Sequence, residues 1–156
     1  MTAALLTIRR LTAAPADLDA LEAIEGQSFI SYDAYTRADF VRWLGYDPQL
    51  CFAAELGGRM AAYLIARVWQ GAGDLASLAA DPACRRSGAG RALLAALEHE
   101  LLARQVSGLT LEVRPSNLSG RAFWRRQGFY PFGIFDHFYA DGEDAIRMRK
   151  DLRAPA

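Results

Sequence analysis

Two apolar runs, CFAAEL and RMAAYLIARV, are separated only by Gly57 and Gly58. A two-residue glycine connection is a strong hairpin signal, because the turns that match strand twist need positive φ at their central positions. The chain must therefore build a sheet with antiparallel neighbours. Helices accompany it. LLTIRRL (5–11) reads as a strand, and Pro15 then opens a helix with Leu18, Leu21 and Ile24 on one face. In YTRADFVRWLG, Thr36 is the expected N-cap with Asp39 three residues on, Phe40, Trp43 and Leu44 are apolar, and Gly45 is the expected stop. DLASLAADP (74–82) is a strand of small residues ended by Pro82. Leu93, Leu94, Leu97 and Leu101 have helical spacing, with Glu100 and Arg104 placed for an i,i+4 pair. GLTLEVR (108–114) is a strand, and a helix starts at Ser116 or Asn117 and ends near Gly128. FYPFGIFDHFY and EDAIRMRKDL read as a closing antiparallel pair. Phe29, Leu118 and Phe123 read as core, and Tyr130 as an aromatic core position. The sum is a mixed α/β sheet with helices on its faces.

Composition limits the function. With 156 residues, 52% of them hydrophobic, and no repeat or linker, residues 1–156 read as a single domain. Formal net charge is zero, which argues against nucleic acid or an anionic membrane as partner. Any anion must be held locally. Cys51 and Cys84 lack zinc spacing and His99 has no partner spacing, so no metal is expected. The opening MTAALLTIRRLTAAP places its charges after the apolar run, the reverse of a signal peptide, and no later stretch reaches membrane-spanning length. A soluble, cytoplasmic protein with reduced thiols is the expectation.

The local anion site is CRRSGAGRALLAAL (84–97). Arg85, Arg86, Ser87, Gly88, Ala89, Gly90 and Arg91 fall between a strand and a long helix, where main-chain N–H groups lack intrahelical partners and the helix dipole is positive. Glycines at 88 and 90 let those groups close around an oxyanion. A Walker loop is excluded because Arg91 follows Gly90, and a dinucleotide fingerprint because Leu93 stands where a third glycine belongs. By itself the pattern is equally compatible with a plain glycine-containing helix start.

The remaining spacing, Arg-x-x-Gly-x-Gly on a strand-to-helix turn, resembles the pyrophosphate loop of the GNAT superfamily of acyl-CoA N-acyltransferases. SLAADPACRRSGAGRALL, LTLEVRPSN and FWRRQGFYPFG together resemble its ribosomal-protein alanine N-acetyltransferase branch. SFISYDAYTRADFVRWL and DHFYADGEDAIRMRKDL extend the likeness over nearly the whole chain. The resemblance implies the α/β GNAT fold, a mixed, mostly antiparallel sheet of six to seven strands flanked by about four helices. It also implies acetyl-CoA as cosubstrate, with Leu78, Ala79 and Ala80 beside the pantetheine arm, Arg85 to Arg91 on the pyrophosphate, and Asn117 bonding the cofactor. Small residues at 76–80 suit close backbone approach, and suit packing under a helix equally well. Asn117 is also a good N-cap, a compatible role.

In the same family the residue matching Glu112 is the general base. Leu109, Leu111 and Val113 alternate with Thr110, Glu112 and Arg114, so Glu112 lies on the polar face, as a solvated strand carboxylate also would. Where relatives carry a general-acid tyrosine this chain has Trp124, whose indole is no such acid. Either the thiolate leaves unassisted, its thiol pKa being near ~8.5, or another group serves. Tyr139 is nominated, with Tyr130, Cys84 and His137 behind it. Tyr32, Asp33 and Tyr35 are the expected acceptor contacts, although a turn before an N-cap needs no function. Arg121, Arg125 and Arg126 share a helix face suited to solvent or to the 3′-phosphate of CoA. The acceptor is expected to be a protein or peptide with a free amine. The alternatives are a small amine, or a non-catalytic CoA-binding sensor that kept the loop.

Overall fold

The structure, a computed structural model, describes residues 4–28 and 33–153. The Gly57–Gly58 turn joins β2 (Cys51–Leu56) to β3 (Arg59–Trp69), with φ of 62° and 80° at the two glycines. A second tight turn at Gln70–Gly71, φ 50° and 80°, joins β3 to β4 (Ala72–Ala80). β1 (Leu6–Arg10) pairs antiparallel with β2. Beyond β4 lie β5 (Gly108–Val113), β6 (Tyr130–Phe135) and β7 (Ala145–Asp151), in the order β1-β2-β3-β4-β5-β7-β6. Every pairing is antiparallel except β4 with β5. The helices are α1 (Pro15–Ser28), α2 (Arg37–Tyr46), α3 (Ala89–Ala103) and α4 (Leu118–Arg126).

Alternation along β3 divides the core between the two faces of the sheet. Ala62, Leu64 and Ala66 meet Leu93, Leu94, Leu97 and Leu101 of α3, together with Leu109, Leu111, Val113 and Trp124. Each of the four buried leucines contributes about 2 kcal/mol by removal from water. Tyr63 and Ile65 point the other way, against Leu18, Leu21 and Ile24 of α1 and Phe40 and Leu44 of α2. β4 serves both sides by means of a bulge: Ser77 faces Ile65 and Leu75 faces Ala66, which leaves Ala76 without a partner. Leu75 consequently joins the α3 side, and Ala79 the α1–α2 side.

The buried cluster under α1 and α2 contains no residue of β5, β6 or β7. On that face the outer half of the sheet carries a cavity instead, with Thr110, Glu112, Arg147 and Arg149 in its floor. The uncovered sheet is the floor of this cavity.

Local chemistry sets the helix ends. Thr36 and Asp39 form a reciprocal capping box on α2, and Asn117 accepts the Gly120 N–H on α4. In α1, Asp17 accepts the Thr12 N–H at 2.9 Å and a two-pronged contact from Arg9 at 2.7 and 2.9 Å. Three sequence expectations are corrected. Gly45 does not stop α2, which runs through Tyr46 and ends at Asp47, where Pro48 disfavours a helical predecessor. Leu118 is 70% exposed at the first position of α4, because that turn faces outward. Tyr130 is exposed on the edge strand, where its hydroxyl donates to Asp151 at 2.9 Å. Phe29 and Tyr32 lie outside the described residues.

Candidate active site

β4 and β5 are paired only through Gly73–Leu109 and Asp74–Thr110. Past Asp74 they diverge, so the edge of β4 that faces β5 has no ladder partner among the described residues from Leu75 to Ala80. Unpaired strand edges bind whatever presents matching donors and acceptors. The gap is a cavity of about 150 Å³, with Ser77 and Leu78 on one wall, Glu112 on the other, and Asn117, Trp124 and Tyr139 at its borders. Of the residues expected beside a pantetheine arm, Leu78 lines this gap. Ala79 turns toward α1 and α2, while Ala80 packs on the α3 side. Their small size thus serves packing, while the strand's edge toward β5 stays without a ladder partner among the described residues.

At the head of α3 the chain takes two left-handed steps, Arg86 at φ 63° and Gly88 at φ 85°. Gly88 is the N-cap, and the first helical bond runs from Ala92 N–H to its carbonyl at 3.0 Å. The amides of Gly90 and Arg91, in the first turn, have no carbonyl behind them within the helix. Arg85, Arg86, Ser87 and Arg91 are exposed around these amides. Ser87 Oγ accepts the Ala89 N–H at 3.3 Å. Gly90 has a reason that the sequence did not reveal: a Cβ there would lie 3.3 Å from Phe123 Cζ, so the glycine seats α3 against α4. Asn117 caps α4 at 3.0 Å and borders the gap, so its two expected roles occupy one place.

Glu112 and Tyr139 both line the gap and also the larger cavity of about 830 Å³ over the uncovered sheet. Burial, reinforced by the charge of Asp74, raises the Glu112 pKa. Arg147 opposes this from 3.7 Å across the β5–β7 pair. Its guanidinium also lies over Phe132 and Phe135, at 4.6 and 4.3 Å from the ring centroids. Burial pushes the Tyr139 hydroxyl up to about 12, against the pull of Arg114, whose guanidinium lies 4.0 Å from the ring centroid. Trp124 is 9% exposed and packs edge-on against Phe123 and Phe129, a core aromatic at the border of the gap. Cys84, Tyr130 and His137 line neither cavity.

Asp33 and Tyr35, expected acceptor contacts, both line the large cavity, and Tyr32 lies outside the described residues. Asp33 accepts two bonds from Arg114, at 2.8 and 2.9 Å. The same arginine bonds Asp141 and Glu143 of the β6–β7 connection, which joins the two rims of the cavity. Tyr35 stacks on Trp43 and donates to the Ala76 carbonyl at 3.4 Å, next to the bulge. Trp43 in turn flanks Arg67, which is bonded to Asp74 at 3.2 Å.

Sequence reasoning missed Glu25, Arg147 and the aromatic rim of Phe132, Phe135 and Phe138. Glu25 is 2% exposed, yet it borders the large cavity. A signal existed: it follows Leu18 by seven residues and Leu21 by four, which puts a carboxylate on the buried stripe of α1. Arg147 had no comparable signal, since its partners come from β5 and β6.

Known proteins are similar to this chain. An uncharacterized N-acetyltransferase of Methanocaldococcus jannaschii is 36% identical over 135 residues, covering 86% of this chain and 85% of that protein. The N-alpha-acetyltransferase RimI of Mycobacterium tuberculosis is 32% identical, covering 97% of this chain and 96% of its own. The crystal structure of the ribosomal-protein-S18-alanine N-acetyltransferase from Escherichia coli superimposes with a TM-score of 0.81 at 33% identity, over 97% of both chains. Residues 18–129, which span α1 to the residue before β6 and so include the diverging strands and the loop at the head of α3, match the acetyltransferase (GNAT) family, and the chain belongs to it.

Proposed function

We propose that this acetyltransferase transfers acetyl from acetyl-CoA directly to the α-amine of a protein N-terminus, with Glu112 as the base. The observation that carries the reading is the meeting of two cavities at Glu112: the gap between β4 and β5 opens on one side, and the wide cavity over β5 and β7 on the other. The residues present fit the cosubstrate. The exposed loop from Arg85 to Arg91 offers main-chain N–H groups and guanidinium groups to a diphosphate, and the unpaired edge of β4 suits an amide-bearing arm laid along it as a further strand. Asn117 borders the same gap. The thioester supplies an activated acyl group, and its thiolate is a tolerable leaving group near neutral pH.

The chain's own work is to hold the amine and to take its proton. Asp33 and Tyr35 stand at the acceptor rim, with Tyr32 as a further candidate. Glu112 in its buried setting has an affinity for protons above that of a solvated carboxylate, which suits it to accept one from an ammonium. Tyr139, at the junction of the two cavities, is the group we assign to return a proton to the departing sulfur. An α-amine with pKa near ~8 costs roughly 3.3 kcal/mol less to deprotonate at neutral pH than a lysine near ~10.4. A single carboxylate suits the easier amine. The relatives named for ribosomal-protein-S18-alanine N-acetylation and for N-alpha acetylation support the same class.

The test is thiol release from acetyl-CoA with a panel of peptides that differ at the first residue, alongside lysine-only peptides and polyamines. Peptides with a free N-terminal α-amine are expected to turn over, and their N-acetylated versions to be inert. Faster turnover of a polyamine would move the assignment to small amines. Saturable thermal protection by acetyl-CoA with no turnover on any amine would make the protein a sensor.

A further inference from the structure

An ammonium that becomes an amide gives up two protons, and Glu112 holds one at a time. A second carboxylate, Glu25, lines the large cavity as well. Glu25, on α1, is bonded by the Tyr63 hydroxyl and accepts the Tyr35 N–H at 2.8 Å. The Tyr63 oxygen lies 3.1 Å from Ser77 Oγ. Tyr63 is fully buried in β3, and Ser77, on β4 beside the bulge, borders both cavities. Two hydroxyls in a row, Ser77 and Tyr63, thus lead from the meeting point of the cavities to a carboxylate with no ion pair among the described residues.

Resting on the transferase reading, we propose that Ser77, Tyr63 and Glu25 form a second proton path serving the acceptor amine. A proton that leaves the nitrogen arrives at Ser77 Oγ, the Ser77 hydroxyl proton moves to the Tyr63 oxygen, and the Tyr63 hydroxyl proton moves to the Glu25 carboxylate. Each hydroxyl ends as it began. The nitrogen has lost one positive charge and Glu25 one negative charge, so the step balances without any other reactant. Glu25 returns the proton to the cavity, which it borders, before the next turnover.

The electrostatics suit a carboxylate that gains and loses a proton near neutrality. The groups facing Glu25 are Tyr63 of β3, Ser77 of β4, Tyr35 before α2 and Asp39 within α2. Desolvation raises its pKa to about 7, the Tyr35 N–H lowers it, and the Asp39 charge raises it. A carboxylate kept only to staple the fold gains nothing from titrating where the cell operates.

Glu25→Gln preserves shape and keeps one acceptor oxygen for the Tyr35 N–H, but its amide nitrogen replaces the oxygen that accepts from Tyr63, and it carries no titrating proton. Its kcat is expected to fall at least ~10-fold, with loss of the limb near pH 7 from the pH profile of kcat/KM, while thermal protection by acetyl-CoA is retained. Tyr63→Phe interrupts the row without touching the carboxylate, and the same two changes are expected. Infrared difference titration of the acetyl-CoA-free protein gives a readout independent of turnover. A protonated carboxyl band that titrates near pH 7 and is missing in Glu25→Gln is expected, and a Glu25 that ionises below pH 5 overturns the path. If wild-type protein acetylates peptides and either variant keeps both kcat and the neutral limb, the path is refuted while the proposed function stands. If wild-type protein acetylates nothing, the proposed function itself fails.

Discussion

The loop at the head of α3 and the cavity over β5 and β7 meet at the diverging strands, yet they are built in opposite ways. Everything expected to hold the diphosphate lies in one unbroken stretch, from the end of β4 to the first turn of α3, and works through main-chain N–H groups at special φ values. The acceptor side draws Glu25 from α1, Asp33 and Tyr35 from the segment before α2, Glu112 from β5, Arg147 from β7, and Tyr139 from the β6–β7 connection. Its candidate groups are side chains, and burial raises the proton affinity of Glu25, Tyr35, Glu112 and Tyr139. A ligand grip can be encoded locally, because amide geometry follows from a few dihedral angles. A proton-handling pocket cannot, because desolvation and neighbouring charge exist only once distant segments have packed.

Substitutions on each side ought therefore to fail differently. The largest effect is expected for Glu112→Gln, a loss of about 10²-fold or more in kcat with acetyl-CoA affinity retained, read by steady-state kinetics. If kcat is instead unchanged, the base lies elsewhere on the acceptor side. Tyr139→Phe follows, with kcat lowered about 10-fold and a loss of the alkaline limb of its pH profile. On the loop, Gly88→Val forces a branched side chain into φ 85°, at roughly 1–2 kcal/mol. The expected result is an acetyl-CoA KM raised about 10-fold, with the smaller loss in kcat; a reversed split would erase the distinction between the two sides.

Arg147→Gln sharpens the acceptor side alone. Glu112 must be ionised to act as base, so kcat/KM is expected to rise as pH climbs through its pKa, and removal of the cation that lowers this pKa moves the rise to higher pH, read from the pH profile of kcat/KM. Asp17→Asn lies outside both regions and supplies the smallest catalytic effect. Arg9 and Thr12 hold the Asp17 carboxyl near 2, against an ordinary 3.8. Its stabilisation is thus complete above about pH 4 and lost as pH falls through about 2, worth roughly 1–2 kcal/mol. Thermal melts at pH 7 should show the variant less stable by that amount with kcat unaltered, and the difference should vanish near pH 2.

What the amino-acid sequence determined by itself was everything governed by near neighbours. The Gly57–Gly58 hairpin, the Thr36–Asp39 capping box, the leucine stripe of α3 and the loop at its head follow from turn geometry, capping and periodicity, which act over a handful of residues. The outward-facing row of Thr110, Glu112 and Arg114 was likewise legible from alternation alone. Errors arose where local rules met tertiary context: Gly45 stayed helical until Pro48 intervened, and Leu118 and Tyr130 found water where an apolar neighbour was expected.

Only the tertiary structure decided that β4 and β5 part after two residue pairs, that the buried cluster under α1 and α2 takes in nothing from β5, β6 or β7, and that Glu25 and Glu112 line one cavity. Each of these depends on segments far apart in the chain arriving at one place. The environment that raises the proton affinity of Glu25 and Glu112 is a property of that arrival, and no window along the chain contains it.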